Sequence, residues 1–120
     1  EEKAFNRDEM IEVLKQVSLG HLQDRLDQEQ DWTRILSLGE QQRLAFARLL
    51  LHKPKVAFLD EATASMDEGL EDNMYRLLKE CLPHTTVISV GHRSTLQAFH
   101  QQQLMILGNG EWQFTDRNLV

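Results

Sequence analysis

The chain is poor in cysteine, proline and glycine, with one, two and six in 120 residues. A lone Cys81 excludes an internal disulfide framework and fits a reducing compartment. So few prolines and glycines set the composition apart from collagen-like and low-complexity chains. No apolar run approaches the roughly 18 residues of a membrane span, and no signal-peptide pattern opens the sequence, so the chain is expected to be soluble. Positive charge is also short. Thirteen Lys+Arg against nineteen Asp+Glu leave a net charge of −6, which argues against a broad nucleic-acid footprint and against nucleic acid as a partner. Apart from the run Gln101-Gln-Gln103 there is no low-complexity stretch and no internal repeat. The 41% hydrophobic content suits one modest core.

Within that composition the periodicity alternates between helix and strand. Asn6 and Glu9 form a helix-start pair, Met10, Val13, Leu14 and Val17 recur at helical spacing, and Gly20 suits a left-handed ending, so a helix is predicted over 7–19. Leu22 to Trp32 reads as a short helix or loop. Glu40 to Leu51 is a second helix with Leu44, Ala47 and Leu51 on one face and Arg43 off it, stopped at Lys53-Pro54. Val56-Ala-Phe-Leu59 is a strand-length apolar run, expected to be covered on both faces. A third helical stripe follows in Leu70, Met74, Leu77, Leu78 and Cys81, with Asp72 and Arg76 spaced for a surface pair and Pro83 after the end. Thr86 to Val90 completes a βαβ unit, and Leu104 to Leu107 turns through Asn109-Gly110 into Glu111-Trp-Gln-Phe114.

Two stretches carry chemistry. The apolar strand ends on Asp60-Glu61, and open α/β sheets bind ligands at the carboxyl ends of their strands. In P-loop nucleotidases such an aspartate holds Mg²⁺, usually through water, and a following glutamate polarises the attacking water. Acidic turn residues after apolar strands are common, so the pair alone decides little. Leu36-Ser-Leu-Gly-Glu-Gln-Gln-Arg43 places a hydroxyl and a glycine at the start of a helix, where free N–H groups and the positive dipole end form an anion site. Ser37 reads either as an N-cap alone or as a grip on phosphate.

Taken together, Leu36 to Arg43, Val56 to Glu61, Ala64-Ser-Met-Asp67 and Gly91-His-Arg93 resemble, in order and approximate spacing, the signature motif, Walker B strand, D-loop and switch histidine of an ABC-transporter ATPase domain. Asp31-Trp32, Glu40 in place of the usual glutamine, and Ser89-Val-Gly-His-Arg-Ser94 resemble the subgroup of peroxisomal fatty-acyl transporters and bacterial permease-ATPase fusions related to peptide and cobalamin uptake proteins. The resemblance implies an α/β, incomplete P-loop NTPase fold. Residues 1–52 would be part of the helical subdomain, and 53–120 the C-terminal part of a catalytic core whose mainly parallel sheet has flanking helices and a C-terminal hairpin. No lysine follows a glycine, so the phosphate-cradling Gly-x-x-x-x-Gly-Lys-Ser/Thr loop does not occur in this sequence. Nor do the family's adenine-stacking aromatic residue, Mg²⁺-sensing glutamine and membrane helices. The chain resembles only the C-terminal half of the ATPase domain.

By resemblance, Asp60 is assigned to Mg²⁺, Glu61 to water activation and His92 to the γ-phosphate of ATP. Asp67 belongs to the loop that crosses to a partner domain. Ser37, Leu38, Gly39 and Glu40 form the turn facing the nucleotide of the opposite subunit in a head-to-tail dimer. Leu38 replaces the first signature glycine and adds bulk. Glu40 brings negative charge toward an anion, so its side chain is expected to point away or pair with a cation. Ala64-Ser65 stands where Ser-Ala is commoner, and a polar contact from position 64 is lost. His21, His52, His84 and His100 lack metal-ligand spacing and read as surface histidines. Trp112 and Phe114 read as core or hairpin packing, and Trp32 as packing within the helical subdomain.

The implied whole is a transporter ATPase at the cytosolic face of a bacterial inner or organelle membrane, partnered by a second nucleotide-binding domain and a permease. The fragment alone is expected to be inactive. Two rival readings stand beside it: a piece of a soluble ABC ATPase of DNA repair, chromosome structure or translation, and a noncatalytic module that self-associates through exposed edges.

Overall fold

A computed structural model describes residues 5–26 and 32–116. They divide into two compact units, 1–90 and 91–120. Among the described residues no helix is long and apolar enough to cross a membrane.

The first unit begins with helix α1, Arg7–Gln16, whose N-cap Asn6 accepts a hydrogen bond from the Glu9 amide at 3.1 Å. The helix ends earlier than its pattern predicts, and Gly20 does not end it. Ser18 takes the left-handed position (φ 63°). Its amide donates to the Lys15 carbonyl, and the Leu19 amide reaches back to the Leu14 carbonyl at 2.7 Å. That pairing is a Schellman ending, and it buries Leu14 and Leu19 as its hydrophobic closure. Gly20 instead opens a 3₁₀ turn, Gly20–Arg25. After the undescribed 27–31 comes a single helical turn, α2, Trp32–Ile35. Asp31, and with it half of the Asp31-Trp32 motif, lies outside the described residues, as does the side-chain placement of Trp32.

Helix α3, Leu38–His52, starts two residues before the predicted Glu40 and ends at Lys53, which is left-handed (φ 49°) directly ahead of Pro54. Its buried face is Phe46, Ala47 and Leu50, not the predicted Leu44, Ala47 and Leu51; Leu44 and Leu51 are half-buried. Phe46 carries the rotation: its ring packs edge-on against Tyr75 with centroids 6.0 Å apart. Arg43 is half-buried, and its guanidinium donates to the Ser18 carbonyl at 3.2 Å, joining α3 to the end of α1.

Strands β1, Val56–Asp60, and β2, Thr86–Val90, pair in parallel with Phe58 opposite Ile88 and Leu59 opposite Ser89. Helix α4, Glu68–Cys81, connects them in sequence. Tyr75 Oη lies 2.8 Å from Ser89 Oγ, which sets α4 on the face that carries Leu59 and Ser89. The expectation of cover on both faces is not met. Ala57 and Leu59 are buried, whereas Val56, Ile88 and Val90 are exposed and Phe58 is 75% exposed. In the first unit α4 lies on the buried face of the ladder, and α3 joins it there through the Phe46–Tyr75 contact.

On α4 the buried positions are Glu71, Met74, Tyr75 and Leu78, so the predicted stripe is displaced toward Tyr75. Leu70 and Leu77 are half-buried, and Cys81 is exposed at the helix end. Asp72 and Arg76 form the expected i,i+4 pair at 2.8 Å. Glu71 is fully buried and accepts a hydrogen bond from the Thr63 hydroxyl, which ties the loop after β1 to α4.

The second unit holds a 3₁₀ segment, Ser94–Phe99, and an antiparallel hairpin of β3, Gln102–Gly108, and β4, Glu111–Asp116. Asn109 and Gly110 both take positive φ (53° and 77°), as a tight two-residue hairpin turn requires. Leu104 pairs with Phe114 and Ile106 with Trp112, yet all four are exposed. Trp112 and Phe114 are therefore hairpin pairs and not core.

Truncating Phe46 to Ala is expected to cost about 3–5 kcal/mol, read as a lowered urea midpoint. Phe58→Ala, on the bare face, is expected to change stability by no more than about 0.5 kcal/mol. Equal losses at the two positions would contradict the one-sided core.

Candidate functional site

Three chain segments of the first unit meet around the N-terminus of α3. Ser37 is the N-cap of that helix, and its hydroxyl accepts from the Glu40 amide at 3.1 Å. Glu40 Oε1 answers by accepting from the Ser37 amide at 3.0 Å, closing a capping box. The second carboxylate oxygen of Glu40 lies 3.3 Å from His21 Nε2, supplied by the 3₁₀ turn after α1. Glu40 thus turns back onto its own cap and faces a histidine, in keeping with the expectation for this residue. The two hydrogen bonds from Ser37 lead in holding the Glu40 carboxyl below its ordinary value of 4.5, with His21 adding to the effect and partial burial opposing it. Leu38, the first residue of α3, leaves its side chain 68% exposed beside this cap.

Gly39 faces the loop that follows β1. A Cβ at that position would stand 3.3 Å from the Ser65 carbonyl oxygen, tighter than ordinary contact, so a residue without a side chain lets helix and loop approach. The same loop holds the acid pair. Asp60 ends β1 and is exposed. Glu61 comes next with a left-handed backbone (φ 51°), its amide donating to the Val90 carbonyl at 2.8 Å. Ala64 donates from its amide to the Glu61 carbonyl at 3.2 Å. Asp67 is the N-cap of α4, its Oδ1 accepting from the Leu70 amide at 2.7 Å.

The structure therefore gathers Ser37, Gly39 and Glu40 at one helix start and joins that start, through Ser65, to the loop carrying Glu61. His92 belongs to the second unit, where it is exposed. Of the remaining histidines, His21, His52 and His84 are exposed as expected, with His52 edge-on to Phe5 at 5.0 Å. His100 is instead half-buried, its Nδ1 2.7 Å from the Leu96 carbonyl. Among the described residues no three His, Cys, Asp or Glu side chains cluster as metal ligands. An exposed single carboxylate at a strand end suits Mg²⁺, which binds through one or two carboxylates and keeps water and phosphate oxygens for its other positions.

Sequence reasoning missed three residues. His21 read only as a surface histidine. Glu71 was visible as one charge inside the apolar stripe of α4. Gln42 passed unnoticed within a Gln-Gln pair, although it sits one turn beyond Gly39 on the same helix and reaches the loop that holds the acids.

The structure thus joins the capped start of α3 to the loop that carries the acid pair at the end of a parallel strand. The family model for ABC transporters matches residues 2–64, more than half of the chain. The chain belongs to the ABC transporter family. It is 72% identical over 103 residues to an ABC transporter ATP-binding protein of Haemophilus influenzae, covering 86% of this chain and 17% of that protein. It is 49% identical over 102 residues to the chloroplastic ABC transporter D family member 2 of Arabidopsis thaliana, covering 82% of this chain and 14% of the relative. The human lysosomal cobalamin transporter is 47% identical over 90 residues, covering 73% of this chain and 14% of the relative. The chain thus spans no more than 17% of the length of these curated relatives.

Ser37→Ala is expected to cost about 1 kcal/mol through loss of the cap. The Glu40 carboxyl is lowered on folding, so its stabilising contribution is in full above pH 4.5 and is lost as the pH falls through the folded value. Urea midpoints measured against pH are expected to drop less steeply below 4.5 in Glu40→Gln than in the unsubstituted chain; parallel curves would show that the capping box contributes nothing.

Proposed function

We propose that this chain is the signature and Walker B portion of the nucleotide-binding domain of an ABC transporter, with residues 1–52 in its helical subdomain and 53–120 in its catalytic core. The observation that carries the reading is the junction of the capped Ser37–Gly39 turn with the Asp60-Glu61 loop, at the carboxyl end of a parallel strand. In the intact protein the substrate is ATP. Asp60 would hold Mg²⁺, which would supply positive charge to neutralise the phosphates. Glu61 accepts a proton from the attacking water, and His92 donates a hydrogen bond to the γ-phosphate. Ser37, Leu38, Gly39 and Glu40 present the helix start to the nucleotide of the opposite subunit, and Asp67 shapes the loop that crosses the head-to-tail interface. Binding closes two such domains and hydrolysis reopens them, driving a permease from the cytosolic face of a bacterial inner or organelle membrane.

The sequence carries no Gly-Lys-Ser/Thr loop to position the β- and γ-phosphates, and positioning supplies most of phosphoryl-transfer catalysis. The chain by itself therefore turns over no ATP. A second property of the isolated chain is favoured by the bare face of Val56, Phe58, Ile88 and Val90: copies self-associate to cover it.

In the full-length protein, Glu61→Gln is expected to lower phosphate release by at least about 100-fold while ATP still binds; undiminished release would sink the assignment. For the 120-residue chain, Mg²⁺-dependent hydrolysis abolished by Glu61→Gln would overturn its expected inactivity. Light scattering is expected to find oligomers of that chain, and a monodisperse, cooperatively melting monomer would count against self-association.

A further inference from the structure

The left-handed backbone of Glu61 is held on several sides. Besides the bonds to Val90 and Ala64, its carbonyl accepts from Gln42 Nε2 at 3.2 Å. The other end of the same amide is also used: Gln42 Oε1 accepts from the Ser65 amide at 3.0 Å. One side chain of α3 therefore grips both ends of the Glu61–Ser65 turn. Gln41, its neighbour, is engaged locally instead, donating to the Leu36 carbonyl at 3.1 Å. One turn before Gln42, Gly39 meets the same Ser65 from the same side.

A residue with a Cβ keeps positive φ only where its surroundings over-determine it, and such outliers gather where geometry matters to function. We infer that Gln42 is the positioning residue for the Glu61 carboxylate. It touches no nucleotide. Its two-ended grip fixes the turn from which the Glu61 side chain projects, and it conveys any displacement of the Ser37–Gly39 turn to that side chain. The inference rests on the reading of Glu61 as the water-activating group.

The test uses the full-length protein with Gln42→Met, which keeps length and removes both hydrogen bonds, and Gln42→Glu, which keeps the acceptor for Ser65 and loses the donor to Glu61. In Gln42→Met the kcat for ATP is expected to fall about 10- to 100-fold, with KM changed by less than about twofold. Gln42→Glu is expected to fall as far, because the bond to the Glu61 carbonyl is the one that orients the acid. A wild-type kcat in Gln42→Met, beside a full loss in Glu61→Gln, overturns the inference alone. Full activity in Glu61→Gln overturns the functional reading and the inference with it. A KM that rises in step with the fall in kcat marks a general structural role and also overturns it. Should the variants fail to fold, amide exchange in the unsubstituted protein decides: Ser65 is expected to exchange slowly, and exchange at the unprotected rate overturns the grip.

Discussion

Among the described residues the β1–β2 ladder is covered on one face only, and much of what they bury or expose follows from that constraint. Parallel strands are ordinarily sandwiched, because their crossover helices pack on both sides. Here Ala57 and Leu59 are buried on the face where Tyr75 meets Ser89, and Phe46 joins α3 to the same layer through Tyr75. Phe58 and its neighbours on the opposite face have no such partner in the described chain. The one covered face is also what brings α3 within reach of the strand end. A helix layer on the other side alone would leave the Glu61 turn without the Gln42 amide, and the Ser37 cap without a neighbouring acid loop.

At the α3 terminus, electrostatics and hydrogen bonding pull in different directions. A helix start attracts an anion, and Glu40 places a carboxylate there already. The capping box resolves the conflict locally: the carboxylate is drawn onto the Ser37 amide and faces His21, which limits the negative charge directed at the open end. The Ser37 hydroxyl oxygen accepts from the Glu40 amide, and the same hydroxyl also bonds the Glu40 carboxyl.

Features set by near neighbours in sequence were legible, and those set by distant ones were not. The caps at Asn6 and Ser37, the stop at Lys53-Pro54 and the Asn109-Gly110 turn each depend on a few adjacent residues, and each stands where the pattern places a boundary. The buried edge of an amphipathic helix is a different matter. Leu44 and Leu51 are as apolar as Phe46 and Leu50, and only the position of Tyr75, 29 residues beyond Phe46, decides which pair turns inward. Glu71 fails to read as core for the same reason, because its burial depends on the Thr63 hydroxyl across the loop. Cys81 is apolar enough for the α4 stripe, but lies where that stripe runs off the end of the layer.

The candidate site divides along the same line. Its candidate residues were readable because the Ser37–Gly39 turn and the acid pair are each contiguous motifs. The link between them was not, since Gln42 earns its place from partners 19 and 23 residues away. A glutamine is well suited to such a link: its amide carries donor and acceptor at one end of a short stem, so it can satisfy a carbonyl and an amide at once without adding charge beside Asp60 and Glu61. A lysine could donate to the Glu61 carbonyl but not accept from Ser65, and a glutamate could do only the reverse while crowding a third carboxylate against the acid pair. The residue type at position 42 is thus constrained by backbone groups that no local pattern reveals.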